Sequence, residues 1–383
     1  MDKPTVQDIF HRFYPAYLDQ YSPSPVQAKV AHNIMNCKTG AYGANVCVCE
    51  DCGFVQIHYN SCRNRCCPMC QAVPKEMWMD ARREDVLDAP YFHLVFTVPD
   101  ILNPVIYSNQ RLLYDALYHA ASSTISELTA DPKHLGAKVG YICILHTWGS
   151  EMNFHPHIHT ILLGGGLASN NQWKDNGENF FLPIRVISKM FRGKYLEELK
   201  RLWEEDKLVF HGTAEKFRNH YTFKELLDSC YGMDWIPHCK KTFNGAQTVI
   251  KYLGKYTHRI AVSNHRIVRM DDDTVTFLVK DYRNEGQWKE LTISGVEFVR
   301  RFLMHVPPRR FVRIRHYGLL CSRTKSQKLT LCRNILGCKK YLSKLRDMEM
   351  PEILEHLYGI KVCVCKACGG HLGKPQMRMP LRC

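Results

Sequence analysis

The cysteines constrain this chain more than any other feature. Of 18, eight lie between positions 37 and 70 and seven between 321 and 383. Only Cys143, Cys230 and Cys239 fall between those clusters. Thiols this dense either form disulfides in an oxidising compartment or ligate metal in a reducing one. The opening "MDKPTVQDIFHRFY" lacks a basic stretch followed by an apolar one, so no secretion signal is expected. No apolar run of about 18 residues occurs either, so no membrane partner is expected. A cytoplasmic protein with two metal-stapled segments flanking a conventional core follows as the expectation.

The spacing is informative within each cluster. Cys49-x-x-Cys52 and Cys67-x-x-Cys70 are two knuckles separated by 14 residues, close to the usual spacing of a four-cysteine zinc site. Cys37, His58, Cys62 and Cys66 remain, enough ligands for a second zinc. Near the end, "CVCKACGGH" adds a third knuckle, Cys365-x-x-Cys368, for a C-terminal zinc, with Cys332, Cys338, Cys363 and Cys383 available to complete it. Free thiols are the alternative for the first set, and spacing alone does not partition ligands among the further ions.

A formal net charge of +15 and a pI near 9.0 favour a polyanionic partner, and nucleic acid is the usual one. Arg63 and Arg65 sit between cysteine ligands, within reach of phosphates. Arg309, Arg310, Arg313 and Arg315 lie in "RRFLMHVPPRRFVRIRHYG", where interleaved aromatics suit backbone contacts and base stacking. The alternative is a structural helix and strand with charged faces.

Hydrophobic content of 45% indicates a folded globular chain. "YFHLVFTV", "VGYICILHTWG" and "HPHIHTILLGGG" read as strands, and "ENFFLPIR" as a further one. Helical periodicity marks "NPVIYSNQRLLYDALYHAASSTISELTA", "ISKMFRGKYLEELKRLWEEDK" and "AQTVIKYLGKYTHRIA". "RIVRMDDDTVTFLVKDYR" reads as a hairpin turning at its three aspartates. Residues 208 to 243 show no clear period. Strands and helices alternate without a βαβ rhythm, which predicts an α+β fold. The divisions expected are 1–80, a helical start plus zinc-binding module; 88–265, the central domain; and 266–383, a basic, Cys-containing C-terminal region.

Histidines concentrate on the two clearest strands. Alternate side chains share a face, so His157 and His159 point the same way, roughly 6.5–7 Å apart at Cα. Folding the two strands as a hairpin about residues 151 and 152 sets His146 opposite His157. His146, His157 and His159 then form a triangle on one sheet face, with His155 positional beside Pro156. Three imidazoles suit a divalent ion with open positions: zinc for hydrolysis, or Mg²⁺ or Mn²⁺ where a substrate supplies phosphate oxygens. The alternative is core histidines bonded to backbone. The glycines 164 to 166 would leave room beside the strand for a DNA backbone or a helix.

"KYLGKYTHR" places Tyr252 and Tyr256 on one helical face, with Lys255, His258 and Arg259 around them. A phenol has a pKa near 10, so about one in a thousand is ionised at neutral pH. It becomes a nucleophile only beside a metal or cations. A tyrosine pair packed into a core is the alternative.

A His-hydrophobic-His strand, a downstream Tyr-x-x-x-Tyr segment and zinc-like cysteines resemble the HUH endonuclease superfamily. More closely, the chain resembles the two-tyrosine rolling-circle transposases of the insertion-sequence-91 family. "YNSCRNRCCPMCQ", "YFHLVFTVP", "LHTWGSEMNFHPHIHTILLGGG", "FRGKYLEELK", "YLGKYTHRIAVSN" and "RRFLMHVPPRRFVRIRHYGLL" follow that family in order. One departure is Cys66, where the family more often has His. The resemblance implies an HUH endonuclease core, an antiparallel sheet flanked by helices, in the central domain. It implies catalytic Mg²⁺ or Mn²⁺ on His146, His157 and His159, structural Zn²⁺ on the cysteines, and catalytic Tyr252 and Tyr256. Lys255 and Arg259 would join the other arginines as DNA contacts. The partners implied are single-stranded DNA at transposon ends, target DNA and host replication proteins. The reaction implied is nicking and joining through a 5′-phosphotyrosine. A plasmid replication initiator or relaxase shares that chemistry. A three-histidine zinc hydrolase and a zinc-ribbon DNA-binding regulator are the readings from other classes.

Overall fold

A computed structural model describes residues 3–175, 182–235, 237–243, 249, 254, 261–281, 285–374 and 376–378. Two capped helices come first. In α1 (Val6–Gln20), Thr5 and Asp8 form a capping box; in α2 (Pro25–Met35), Ser24 and Gln27 do the same, with Pro25 in the first turn. The hairpin of β1 (Ala44–Val48) and β2 (Val55–Tyr59) follows, then α3 (Ala72–Arg83) and β3 (Tyr91–Thr97). The next stretch, predicted as one helix, is two: α4 (Asn103–Ser108) and α5 (Gln110–Ala130). Asn109 breaks it, because its side-chain amide donates to Val209 O (2.7 Å) and accepts from Val209 N (2.8 Å).

β4 (Lys138–Trp148) and β5 (Phe154–Leu167) form the long hairpin, and the short β6 (Trp173–Asp175) pairs with the end of β5. The strand predicted for "ENFFLPIR" is not formed by its described part. Pro183 lacks an N–H for a ladder and instead starts α6 (Ile184–Glu204), its carbonyl accepting from Val186 and Ile187. Within 208–243 lie α7 (His220–Gly232), capped by the Asn219 side chain, and β7 (His238–Phe243). The α7 period (Phe223, Leu226, Leu227, Cys230 buried) is short and lost among charged neighbours. The predicted hairpin at the aspartates is β8 (Ile267–Met270) and β9 (Thr274–Asp281), extended by β10 (Gln287–Ser294). After these come α8 (Gly295–Met304), β11 (Ile314–Gly318), α9 (Lys325–Leu336), α10 (Met350–Tyr358) and β12 (Gln376–Arg378).

The result is mixed α+β with antiparallel sheets. The central sheet runs β11-β4-β5-β3-β7. One face, carrying Phe92, Leu94, Phe96, Cys143, Leu145, Ile158 and Leu162, packs against buried side chains of α5 and α6. The other carries Ile142, Ile144, Ile161 and Leu163 and packs against Met79 of α3, Leu329 and Cys332 of α9, and Val249. A second unit joins β8–β10 to α1, α2 and α8 around Phe10, Phe277, Phe298 and Phe302. A third is the small sheet β12-β1-β2. Residues 266–378 thus contribute to all three units. Among the described residues no helix is long and apolar enough to cross a membrane.

The β4–β5 hairpin ties the first unit to the second. Its tip, Gly149–Asn153, carries Met152 in a left-handed conformation (φ 57°) with its side chain fully buried in the second unit's core. Arg266 donates to Ser150 O (2.6 Å), Arg301 to Glu151 O (2.9 Å) and His305 to Met152 O (2.9 Å). Every backbone carbonyl that the turn exposes at these positions is thereby satisfied.

At the other end of the hairpin the three glycines are filled by protein, not left open for DNA. A Cβ on Gly164 would meet Phe92 and Pro90; on Gly165, the Trp173 ring; on Gly166, the Lys138 carbonyl and the Val139 amide. The last contact is backbone and cannot rotate away. Gly166→Ala is expected to cost about 1–3 kcal/mol of unfolding free energy, the usual scale of overpacking. Urea denaturation measures this, and an unchanged midpoint would show that the β4–β5 contact relaxes.

Candidate metal and nucleic-acid site

The register expected from the sequence is the one observed: His146 pairs with His157, and Ile144 with His159. His146, His157 and His159 are all buried, and one ring nitrogen of each lies within 4.8 Å of the others. The Nε2 atoms of His157 and His159 are 3.1 Å apart. Neighbouring nitrogens on one ion with bonds of about 2.05 Å would be about 2.9–3.4 Å apart, so the donor set fits a divalent metal.

The surroundings orient the rings. His157 donates from Nδ1 to the His155 carbonyl (2.7 Å), which leaves Nε2 as the lone pair facing inward. His155 acts through its backbone; its own ring faces Asp100 (3.2 Å). His159 Nδ1 meets His93 Nε2 at 2.9 Å. For His159 to ligate through Nε2, its Nδ1 must carry the proton, so His93 is the acceptor. The His146 ring stacks on Trp148 (4.7 Å, 18°). His93 was not singled out in the sequence. Its signal was the odd position within "YFHLVFTV", which places it on the histidine face once β3 pairs with β5.

Tyr252, Tyr256, Lys255, His258 and Arg259 lie outside the described residues. Their neighbours Val249 and Gly254 are helical and buried. Val249 packs on the face that carries the histidines, and a Cβ on Gly254 would collide with Met79 of α3.

The cysteines group differently from the spacing. Cys67 and Cys70 join Cys37 and Cys62, whereas Cys49 and Cys52 join Cys365 and Cys368. The expected set Cys49, Cys52, Cys67 and Cys70 is not assembled. Cys49 and Cys52 are at the tip of the β1–β2 hairpin, while Cys37, Cys62, Cys67 and Cys70 flank its base. Five paired residues separate tip from base by about 17 Å, far beyond one ion's reach of about 2.3 Å. His58 and Cys66 stand outside both sets. His58 bonds Gln56 (2.7 Å). Cys66 is buried in the second unit's core, apart from both groups of converging sulfurs. In each set the sulfurs are spaced for one tetrahedral ion: 3.4 Å (Cys37–Cys70), 3.6 Å (Cys62–Cys70), 3.5 Å (Cys49–Cys368) and 3.8 Å (Cys52–Cys365). Zinc–sulfur bonds of about 2.3 Å imply about 3.8 Å between sulfurs.

The arginines divide into structural and exposed groups. Arg65 donates to Phe311 O (2.6 Å) and Pro308 O (3.3 Å), holding the cysteine segment to the loop before β11. Arg315 pairs with Asp115 and stacks on Tyr118 (3.9 Å), on the sheet face away from the histidines. Arg313 is half-buried beside Cys66, lining the small cleft there, and desolvation lowers its pKa. Arg63, Arg309 and Arg310 are exposed, as is Arg65 despite its two backbone anchors. Arg309 and Arg310 line an open cavity of about 210 Å³ with Lys29, Asn64 and Arg65. That cavity shares Cys66 and Val306 with a smaller cleft reaching Trp148 and His305, next to the histidines.

Two outcomes test this arrangement. His93→Ala is expected to weaken Mn²⁺ binding about 10–100-fold, the usual effect of removing a ligand's hydrogen-bond partner, with partial recovery in His93→Gln. Calorimetric titration reads it; unchanged affinity would remove His93 from the site. Burial also pushes His305 down to about 4 from 6.5, so the unfolded chain takes up a proton first as pH falls. Stability is therefore full above pH 6.5 and declines toward pH 4, by at most about 3 kcal/mol from this group. His305→Gln keeps both kinds of hydrogen bond but does not titrate, and its denaturation midpoint should fall less over that range.

A family profile described as "Putative transposase" matches residues 140–328, and one described as "Transposase zinc-binding domain" matches residues 9–98. The "Putative transposase y4qJ" of Sinorhizobium fredii (strain NBRC 101917 / NGR234) is 40% identical over 369 residues, covering 95% of this chain and 93% of that protein. The "Transposase for insertion sequence element IS801" of Pseudomonas savastanoi pv. phaseolicola is 30% identical over 309 residues, covering 79% of this chain and 72% of its own length. Among solved structures, the conjugative relaxase TrwC in complex with OriT DNA aligns at 14% identity over 45% of this chain and 68% of that one (TM-score 0.23). A second TrwC–OriT structure, titled as copper-bound, aligns at 13% identity over 69% and 92% (TM-score 0.27). On its curated relatives, the chain belongs to the insertion-sequence-91 family of transposases, with an N-terminal transposase zinc-binding domain.

Proposed function

We propose that this transposase nicks and rejoins single-stranded DNA at element ends through a phosphotyrosine, on an HUH-type site. The convergence of His146, His157 and His159 on one sheet face carries the reading. A bound Mg²⁺ or Mn²⁺ there would draw charge from an oxygen of the scissile phosphate. Tyr252 and Tyr256 lie two positions either side of Gly254 in the sequence; Val249 packs against the histidine face and Gly254 lies against Met79 of α3. One of these hydroxyls attacks phosphorus, its proton is lost, and the 3′-oxygen leaves and takes up a proton. The 5′-phosphotyrosine ester keeps the bond energy, so reversal by another 3′-OH joins strands without a nucleotide cofactor. The second tyrosine allows a further transfer, into target DNA, before the first link is resolved.

The exposed cations support a track for the strand. Lys29, Arg65, Arg309 and Arg310 border one open cavity, whose Cys66 and Val306 also line a small buried cleft at Trp148. Such a cluster of charge suits the phosphate backbone of a flexible single strand. Zinc on Cys37, Cys62, Cys67 and Cys70 would hold the base of the β1–β2 hairpin against α1 and α2, and so hold Arg65 in place. A plasmid replication initiator or relaxase would use the same chemistry; family membership favours the transposase.

Incubation with single-stranded oligonucleotides carrying the element's ends and Mg²⁺ or Mn²⁺ should give a covalent protein–DNA adduct on a denaturing gel. Chelation should abolish it, as should the Tyr252→Phe, Tyr256→Phe chain. An adduct that persists in the double variant removes the tyrosine assignment. Hydrolysis without adduct would favour a three-histidine zinc hydrolase, and binding without cleavage a regulator.

A further inference from the structure

The zinc-binding profile ends at residue 98, yet Cys49 and Cys52, inside it, meet Cys365 and Cys368 more than 300 positions later. We propose that these four cysteines hold one zinc ion that closes a ribbon from two distant segments of the chain. The inference is independent of the nicking chemistry.

The backbone prepares this closure. β12 pairs antiparallel with β1, matching Ala44 with Arg378 and Val46 with Gln376. Beyond those pairs, Cys49 bridges Leu372, Glu50 N donates to His371 O (3.1 Å) and Gly373 N to Val48 O (2.9 Å). The two knuckles therefore face each other at one end of a three-stranded sheet. Around the second knuckle, Ala367 N and Gly370 N each point at a ligand sulfur, Cys365 and Cys368, at 3.4 Å. Such N–H groups stabilise thiolate, the form that binds metal. The sulfurs are too far apart for disulfides, which need about 2.05 Å, and suit a tetrahedral ion.

The ribbon also has little else to hold it. Its buried cluster is Cys47, Cys49, Cys365 and Leu372, and two of these are ligands. Val48, Val55, Ile57 and Tyr59 are half exposed on its outer face. A core this small does not stabilise three strands without a metal. Removing one pair of ligands should accordingly release the ion and free the other pair.

Zinc content tests this in the full chain carrying His146→Ala, His157→Ala and His159→Ala, where only the cysteine sites count. The expected result is two zinc ions per chain. One remains in Cys365→Ser, Cys368→Ser, one in Cys49→Ser, Cys52→Ser, and one when all four are changed. An unchanged content without Cys365 and Cys368, or a further loss when the second pair is added to the first, overturns the shared site. Misfolding of these variants is bypassed in the zinc-loaded wild-type chain by titrating a chelator and following alkylation of each cysteine by mass spectrometry. Loss of protection at Cys49, Cys52, Cys365 and Cys368 at one chelator concentration supports the clasp; loss at the two pairs separately overturns it.

Discussion

The pairing of β4 with β5 is the constraint on which the rest depends. A strand's side chains alternate, so a slip of one residue would turn His157 and His159 into the opposite core and bring Ile158 to the histidine face. Two things prevent that slip. Leu145, Ile158 and Leu162 are buried beneath α5 and α6, so the slipped register would expose apolar side chains to the imidazole face and bury imidazoles among hydrocarbons. The tip is also clamped by Arg266, Arg301 and His305, whose donors find carbonyls in one register only. The histidine triangle is thus set by packing at one end of the hairpin and by hydrogen bonds at the other.

This explains why a unit with no histidine ligand of its own bears on the site. β8–β10 and α8 supply the clamp, and α1 and α2 supply the apolar surface against which α8 rests, with Phe10 edge-on to Phe302 (5.2 Å). Cys66 and Trp148 share that core, so the cysteine segment and the histidine strand meet in the same packing. Arg65 extends the connection to the loop before β11. Zinc module, clamp and metal face are consequently one mechanical assembly, although the sequence separates them widely.

Much of the site is legible in the sequence itself. Period-two alternation located β3, β4 and β5, and equal distance from a turn set His146 against His157. Arg315 and Cys66 were not readable, because each has chemistry that suits two roles. Arg315 is absorbed by Asp115 and Tyr118, and Cys66 by a hydrophobic core; neither partner lies nearby in sequence. His93 was invisible for the converse reason. A lone histidine in a strand carries no pattern until another strand brings a partner to it.

Much of the local order was therefore determined by the sequence alone: where the long strands and helices run, which face of a strand is apolar, and which residues can bind metal at all; the break at Asn109 and the short α7 and β7 were not. Those properties depend on neighbours within a few positions, where periodicity and spacing act directly. The allocation of ligands to ions was decided only by tertiary structure. Cys49 and Cys67 look like partners along the chain, but a five-residue strand pair carries one away from the other, and the segment around residue 365 returns to take the vacated place. A metal bond spans a few ångströms of space regardless of sequence distance, so only the path of the backbone could assign it.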